Sequence, residues 1–355
     1  MRIAISTGGG DAPGLNAVIR AAVLTAVHRG WECFGVRRGF GSLLGESELM
    51  TLGPNEVRGI THLGGTILGT SSRGNPLKWR VQRPDGSWEE RDRTQELVES
   101  FRGNRLDALI AIGGEGTLGI AFDLWKKGLP IVGVPKTIDN DVGGTVATFG
   151  FDTAVATATD AIDKLHSTAE SHERVMVVEV MGRNAGFIAL NAGVAGSADV
   201  ILIPEIPFDI NKVCDKIRRR EAEGRHFSIV VVAEGAVPKG GSVSLIDPAH
   251  ERLGGIADKV AHSIEQMTGK ETRSLVLGHL QRGGGPTTFD RVLALRFGAA
   301  AVRLVAEGKF GTMVALQPPR IVPVPIADAI ATPRQVPLDS DTIMTARDLG
   351  TSFGD

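Results

Sequence analysis

The chain has 355 residues, 42% of them hydrophobic and 23% charged, with a formal net charge of −2. That length and apolar content suffice for a sizeable core divided into two lobes, and the near-neutral charge excludes a basic field for non-specific nucleic-acid binding. No apolar stretch approaches the roughly 20 residues of a membrane-spanning helix. From the first residues onward, apolar runs of strand length alternate with helical patterns. Strands are predicted at Arg2–Ser6, Glu32–Val36, Ala108–Ile112, Ile131–Val134, Val175–Val180, Val200–Ile203, Ile229–Ala233 and Leu275–Leu277. Helices are predicted at Leu15–Arg29, Gly116–Lys127, Ala154–Thr168, Asn184–Val194, Ile210–Glu223, Gly255–Thr268 and Phe289–Ala306. This order calls for mostly parallel sheets with helices on both faces and strand-to-helix loops along one rim. A Pro-Asp-Gly turn between Trp79 and Glu90 reads as a surface hairpin, either decoration or a flap over the neighbouring Arg73 loop, with a Trp on each arm for a cross-strand pair. The polar stretch Thr332–Asp355 reads as a packing tail or a partly ordered end. Cys33 and Cys214 lack metal-ligand spacing and suit buried thiols in a reducing cytoplasm, and the chain enters a strand at once, without the pattern of a signal peptide.

The strongest chemical signal follows the run Pro130–Val134: Pro135-Lys136-Thr137-Ile138-Asp139-Asn140-Asp141. It lies at the carboxyl end of a buried strand, where open α/β sheets bind ligands. On an extended chain Asp139 and Asp141 share a side, so one can take a proton while the other helps hold a metal or an arginine. Two glycine loops follow other strands. Thr7–Gly14 brings backbone N–H groups to a helix start, which suits an anion, but it has neither Walker nor GxGxxG spacing. In Gly113-Gly114-Glu115-Gly116-Thr117 the glycines admit a polyphosphate and Glu115 can reach Mg²⁺, the plain alternative being a tight turn with an acid at a helix start. Arg174, Arg183, Arg273 and Arg282 stand beside apolar strands, and four guanidinium forks near one rim suit a phosphorylated substrate. Arg218-Arg219-Arg220, set among Lys and Glu, reads as a solvated helix face.

Together with Gly64-Gly65-Thr66, Val178–Arg183 and Gly278–Gly284, these loops resemble the 6-phosphofructokinase family over nearly the whole chain. The resemblance implies two Rossmann-like α/β/α lobes with the active site in the cleft between them. Residues 1–149 plus about 281–330 would form the ATP and Mg²⁺ lobe, and 150–280 plus about 331–355 the fructose 6-phosphate lobe. It also implies phosphoryl transfer to the 1-hydroxyl of fructose 6-phosphate. Asp139 would be the general base, Thr137 would touch substrate and transferring phosphate, Asp141 would support the metal or nearby arginines, and Arg183 and Arg73 would steady developing charge. Gly9, Gly10, Arg73, Gly114, Gly116 and Thr117 would line the donor site, with Glu115 on Mg²⁺ and Phe40 stacking on adenine. Ile138, Met181, Gly182, Glu234, His279, Leu280, Gln281 and Arg282 would hold the sugar phosphate, and Arg174 and Arg273 would reach in from a neighbouring subunit of a homodimer or homotetramer.

The donor rests on two residues. In the family, glycine after the metal-loop acid goes with ATP and aspartate with pyrophosphate, while lysine after the heptad's proline goes with pyrophosphate in many members. Gly116 therefore points to ATP and Lys136 to pyrophosphate. Gly116 carries more weight, because aspartate there would place volume and charge against the nucleotide's α-phosphate, whereas Lys136 only adds a cation. ATP is the expected donor and pyrophosphate the alternative. A non-catalytic sugar-phosphate-sensing paralogue would have no use for the base, the acid and the arginines, and an NAD- or lipid-kinase relative would leave the heptad unexplained.

Overall fold

A computed structural model describes residues 1–71, 74–247 and 252–355. The chain divides into two compact units, one of residues 1–137, 141–150 and 282–333, the other of 138–140, 151–281 and 334–355.

The first unit is built on an eight-stranded sheet among the described residues, mostly parallel, in the order Arg320–Pro325, Thr312–Gln317, Ile131–Thr137, Ala108–Gly113, Arg2–Thr7, Glu32–Val36, Met50–Leu52. The short strand Phe149–Gly150 pairs with the end of Ile131–Thr137. Both sheet faces are covered, which is why the central strands are apolar without alternation. Ile3, Ile5, Ile110, Ile112, Val132 and Val134 enter one core with helices Leu15–Val27 and Thr288–Ala306. Their neighbours Ala4, Leu109, Ala111 and Ile131 enter the opposite core with helices Thr94–Gly103 and Glu115–Lys126. The two outermost strand pairs are antiparallel.

The second unit holds a four-stranded parallel sheet in the order Val200–Leu202, Ser228–Ala233, Val175–Val180, Thr272–Val276. Val175, Val177, Val230 and Val232 pack with helices Ile210–Ala222 and Ile256–Thr268. Helices Phe151–His172 and Phe187–Ala195 also belong to this unit. The C-terminal stretch is ordered against it. It forms helix Asp341–Asp348, Ser352 bridges to Val200, and Phe353 is fully buried.

Three expectations need correction. Arg220 is not solvated: it is buried, ion-paired to Asp199 at 2.7 Å, and bonded to Ser228 and the Phe227 carbonyl. Phe40 is 2% exposed and packed in the core beside Trp79, so it has no face to offer a ring. The hairpin exists as Trp79–Gln82 and Trp88–Arg91, but its register sets Trp79 opposite Arg91 and Trp88 opposite Gln82, so the indoles are not a cross-strand pair. Both cysteines are buried free thiols, and burial pushes Cys33 up to about 12. Among the described residues no helix is long and apolar enough to cross a membrane.

Candidate active site

In the first unit, three loops converge because three parallel strands end in register. Thr7 lies opposite Ile112, and Gly113 lies opposite Pro135. The Gly8 N–H donates to the Ile112 carbonyl at 2.9 Å. Gly113 must be glycine, since a Cβ there would lie 2.3 Å from the Thr117 Cβ. A Cβ on Gly8 would likewise lie 2.8 Å from the Thr117 hydroxyl, so this threonine sits between the two glycine loops. Lys136, 3% exposed, reaches across from the third strand and donates from Nζ to the Gly10 carbonyl. Gly114 precedes helix Glu115–Lys126, and a Cβ there would come 3.3 Å from the Lys136 carbonyl. Close-packed glycine loops, a helix start and an ammonium gathered in this way make a cradle suited to an anion.

Glu115 and Gly116 are exposed in the first turn of that helix. An acid there is favourable to the helix whether or not it meets a cation. Gly116 differs from Gly113 because nothing lies within 4 Å of its missing Cβ and its backbone is not left-handed. Glycine inside a helix costs about 0.5–1 kcal/mol relative to alanine. Packing gives no reason for it. The open volume is what the glycine preserves. Among the described residues no group of three or more His, Cys, Asp or Glu side chains is placed to hold a metal. Glu115, an exposed carboxylate, suits Mg²⁺, which usually takes one or two carboxylates and fills its shell with water and substrate phosphates.

The heptad is partly strand. Ile131–Thr137 runs through Pro135 and Lys136, and the Thr148 hydroxyl donates to the Thr137 carbonyl at 2.8 Å. Beyond Thr137 the chain bends, and Asn140 is left-handed at φ 57°. Strand alternation therefore does not put Asp139 and Asp141 on one side, which corrects the reason for pairing them. Asp139 is 7% exposed and belongs to the second unit with Ile138, while Thr137 and Asp141 belong to the first. Ile138 is fully buried, so a ligand meets only its backbone.

In the second unit, Arg183 follows buried Gly182 with a left-handed φ of 52°, a costly conformation for arginine that clusters at functional positions. Its N–H donates to Glu234 Oε1 at 3.0 Å. Burial pushes the Glu234 carboxyl above its ordinary range; the Arg183 N–H opposes this, and the charge of Asp139 adds to it. Arg183 and Glu234, both expected to hold the sugar phosphate, are thereby tied directly, and Asp139 is coupled to Glu234 through its charge. Met181 is half-buried just before them. Arg174 and Arg273 share one anchor: Glu271 is ion-paired to Arg174 at 2.8 Å and accepts from Arg273 Nη2 at 2.5 Å. His279 and Leu280 are exposed, whereas Gln281 is fully buried with its amide on the Gly278 carbonyl, so its side chain shapes the turn. Arg282 lies in the first unit at the glycine loop and donates to the Asp11 carbonyl at 3.0 Å. A Cβ on Gly10 would come 2.9 Å from its Nη1. Gly9, next to it, has a carbonyl that accepts from the Thr70 hydroxyl at 2.5 Å. Arg73 lies outside the described residues.

Supporting residues carry no sequence signal of their own. Buried Asn16 accepts from the Ile67 N–H at 2.9 Å and donates to the Gly64 carbonyl at 3.1 Å, holding the Gly64–Thr66 loop. Glu179 accepts from the Ala257 N–H at 3.0 Å at the start of its helix, a structural use of a carboxylate within the Val178–Arg183 motif. Glu205 accepts from Gly186 and from Val336, tying the C-terminal stretch into its unit.

Residues 2–305 match the family model described as Phosphofructokinase. The chain is 54% identical over 354 residues to a protein of Chloroflexus aggregans named ATP-dependent 6-phosphofructokinase, covering 100% of this chain and 98% of that relative. It is also 52% identical over 344 residues to a protein of Amycolatopsis methanolica named pyrophosphate–fructose 6-phosphate 1-phosphotransferase, covering 95% and 96%. Among solved structures, phosphofructokinase of Pichia pastoris in the T-state superposes with a TM-score of 0.81 at 30% identity, over 100% of this chain and 37% of that longer one.

Proposed function

The chain belongs to the phosphofructokinase family, and on that premise we propose that it transfers the terminal phosphoryl group of ATP to the 1-hydroxyl of fructose 6-phosphate, giving fructose 1,6-bisphosphate in cytoplasmic glycolysis. The observation that carries the donor is Gly116, a helix glycine that neither packing nor backbone conformation demands. Residues 1–149 with about 281–330 are assigned the donor, and 150–280 with about 331–355 the sugar phosphate.

Phosphoryl transfer needs positioning and charge stabilisation more than covalent chemistry. Gly10, Gly114, Gly116 and Thr117 present backbone and hydroxyl donors to the phosphates, Gly9, whose N–H is taken by the Ser71 carbonyl, shapes the loop they follow, and Lys136 braces the Gly10 carbonyl. Arg73 is assigned to the same phosphates. Glu115 would hold Mg²⁺, which supplies charge neutralisation on the donor. Asp139 accepts the 1-hydroxyl proton, with Thr137 and Asp141 supporting the reacting groups. Arg183, Met181, Gly182 and Glu234 hold the sugar phosphate with His279, Leu280 and Arg282. Arg174 and Arg273 are assigned to the same substrate in a second copy of the chain, as a homodimer or homotetramer; the exposure of Arg273 through Val276 on an outermost strand favours this.

Pyrophosphate is the second reading, favoured by Lys136 and by the name of the Amycolatopsis relative. Relatives at 54% and 52% identity carry different donors in their names, so overall likeness cannot choose. Turnover of fructose 6-phosphate with ATP and with pyrophosphate, side by side, makes the choice. Turnover with pyrophosphate alone would overturn the proposal.

A further inference from the structure

Beside the anion cradle, and wholly within the first unit, is a cavity of about 420 Å³, inside the roughly 300–1,000 Å³ range of small-molecule sites. Thr70 and Ser71 line one side, Trp79 and Trp88 of the hairpin another, with Arg38 and Glu46 also in its wall. The lining is continuous with the glycine loop. The Gly9 N–H donates to the Ser71 carbonyl at 3.2 Å, and the Thr70 hydroxyl donates to the Gly9 carbonyl at 2.5 Å. A molecule with its phosphates at this glycine loop therefore has the cavity as the neighbouring space for whatever else it carries.

The two indoles differ. Trp79 is 8% exposed and packs into the core, which anchors the base of the hairpin. Trp88 is 60% exposed, so a large flat apolar surface is left uncovered at the cavity wall. Such a face stacks on a nucleobase, and stacking does not depend on which base is present. Arg38 supplies hydrogen-bond donors and Glu46 an acceptor suited to a base amine or a sugar hydroxyl.

We propose that the Trp79–Arg91 hairpin walls a nucleoside subsite in which Trp88 stacks on the base of the phosphoryl donor, making the hairpin a determinant of nucleotide over inorganic pyrophosphate. This rests on the donor reading above. Titration with ADP and with inorganic pyrophosphate separates the two claims, since both probes engage the phosphate loops and only ADP carries a nucleoside. W88A weakens ADP about tenfold, within the range stacking supplies, and changes pyrophosphate less than twofold. W88F recovers most of the ADP affinity. An ADP affinity within twofold of wild type in W88A overturns the subsite, as does an equal loss for both probes. A wild-type protein that binds pyrophosphate but not ADP overturns the donor reading itself.

Discussion

Gly116→Asp separates what the fold wants from what the ligand wants. Nothing lies within 4 Å of the Cβ to be added, and the position is exposed in the first turn of helix Glu115–Lys126, so the side chain enters without displacing a neighbour. Replacing a helix glycine gains a few tenths of a kcal/mol in propensity, and an acid near the helix start gains about 0.3–1 kcal/mol. The variant should therefore be as stable as wild type, or more stable by about 0.5–1 kcal/mol in urea denaturation. Function should move the other way. A carboxylate about 4 Å from a phosphate charge costs about 4 kcal/mol at an effective dielectric of about 20. Solvent screening at this exposed position reduces that, leaving a rise in the KM for ATP of roughly 30-fold or more. Stability is read from urea midpoints and function from steady-state rates with ATP, on one preparation. A KM for ATP within threefold of wild type, or a fold weakened by more than about 1 kcal/mol, would refute the reasoning, because the glycine would then serve packing or nothing.

Other consequences follow from the same geometry. Asp139→Asn should lower kcat by roughly 10²–10⁴-fold, the usual contribution of a general base, while leaving the KM for fructose 6-phosphate nearly unchanged; wild-type turnover would remove Asp139 from that role. In Gly235→Ala the new Cβ would meet the Arg183 carbonyl oxygen at 1.9 Å, so the Met181–Arg183 turn must shift. Chemical denaturation should then show a loss of about 1–3 kcal/mol, and kcat/KM for fructose 6-phosphate should fall more than the KM for ATP rises. Because burial raises the Glu234 carboxyl above its ordinary 4.5, the folded state holds that proton more tightly than the unfolded chain. Its contribution to stability is thus full below pH 4.5 and declines as pH rises through the folded value, and Glu234→Gln should flatten the fall in urea midpoint over that window.

The alternation of elements was legible because parallel strands buried on both faces must be apolar throughout, as Ile3–Ile5 and Leu109–Ile112 are. The glycine loops were legible because they follow those strands immediately. Other features depended on packing that local pattern does not encode. Phe40 and Trp88 look equally available as aromatics, yet one lies in the core and the other on the surface. Arg220 looks like its solvated neighbours until Asp199 is brought beside it from another part of the chain. Strand Arg320–Pro325 was missed because Pro323 and Pro325 argue against a central strand; it is an outermost one, where proline is tolerated. The bend at Asn140 has no local signature beyond asparagine's tolerance of the left-handed region.

The placement of Lys136 lowers its weight against Gly116 further. Its ammonium is buried against the Gly10 carbonyl, so its charge acts within the cradle that receives phosphates. ATP and pyrophosphate both bring phosphates to a cradle of this kind, so a residue whose effect is confined there favours neither strongly. Only the α-phosphate and nucleoside distinguish the two donors. The features that bear on that end are the open volume at Gly116 and the cavity walled by Trp88, and both leave room that a nucleotide would fill. If that is their purpose, G116D and W88A should each weaken ADP and leave pyrophosphate comparatively untouched, although one adds a charge and the other removes an aromatic face. Agreement between two such different perturbations would tie donor choice to the nucleoside end of the site, and a loss of pyrophosphate in either would return it to the cradle and to Lys136.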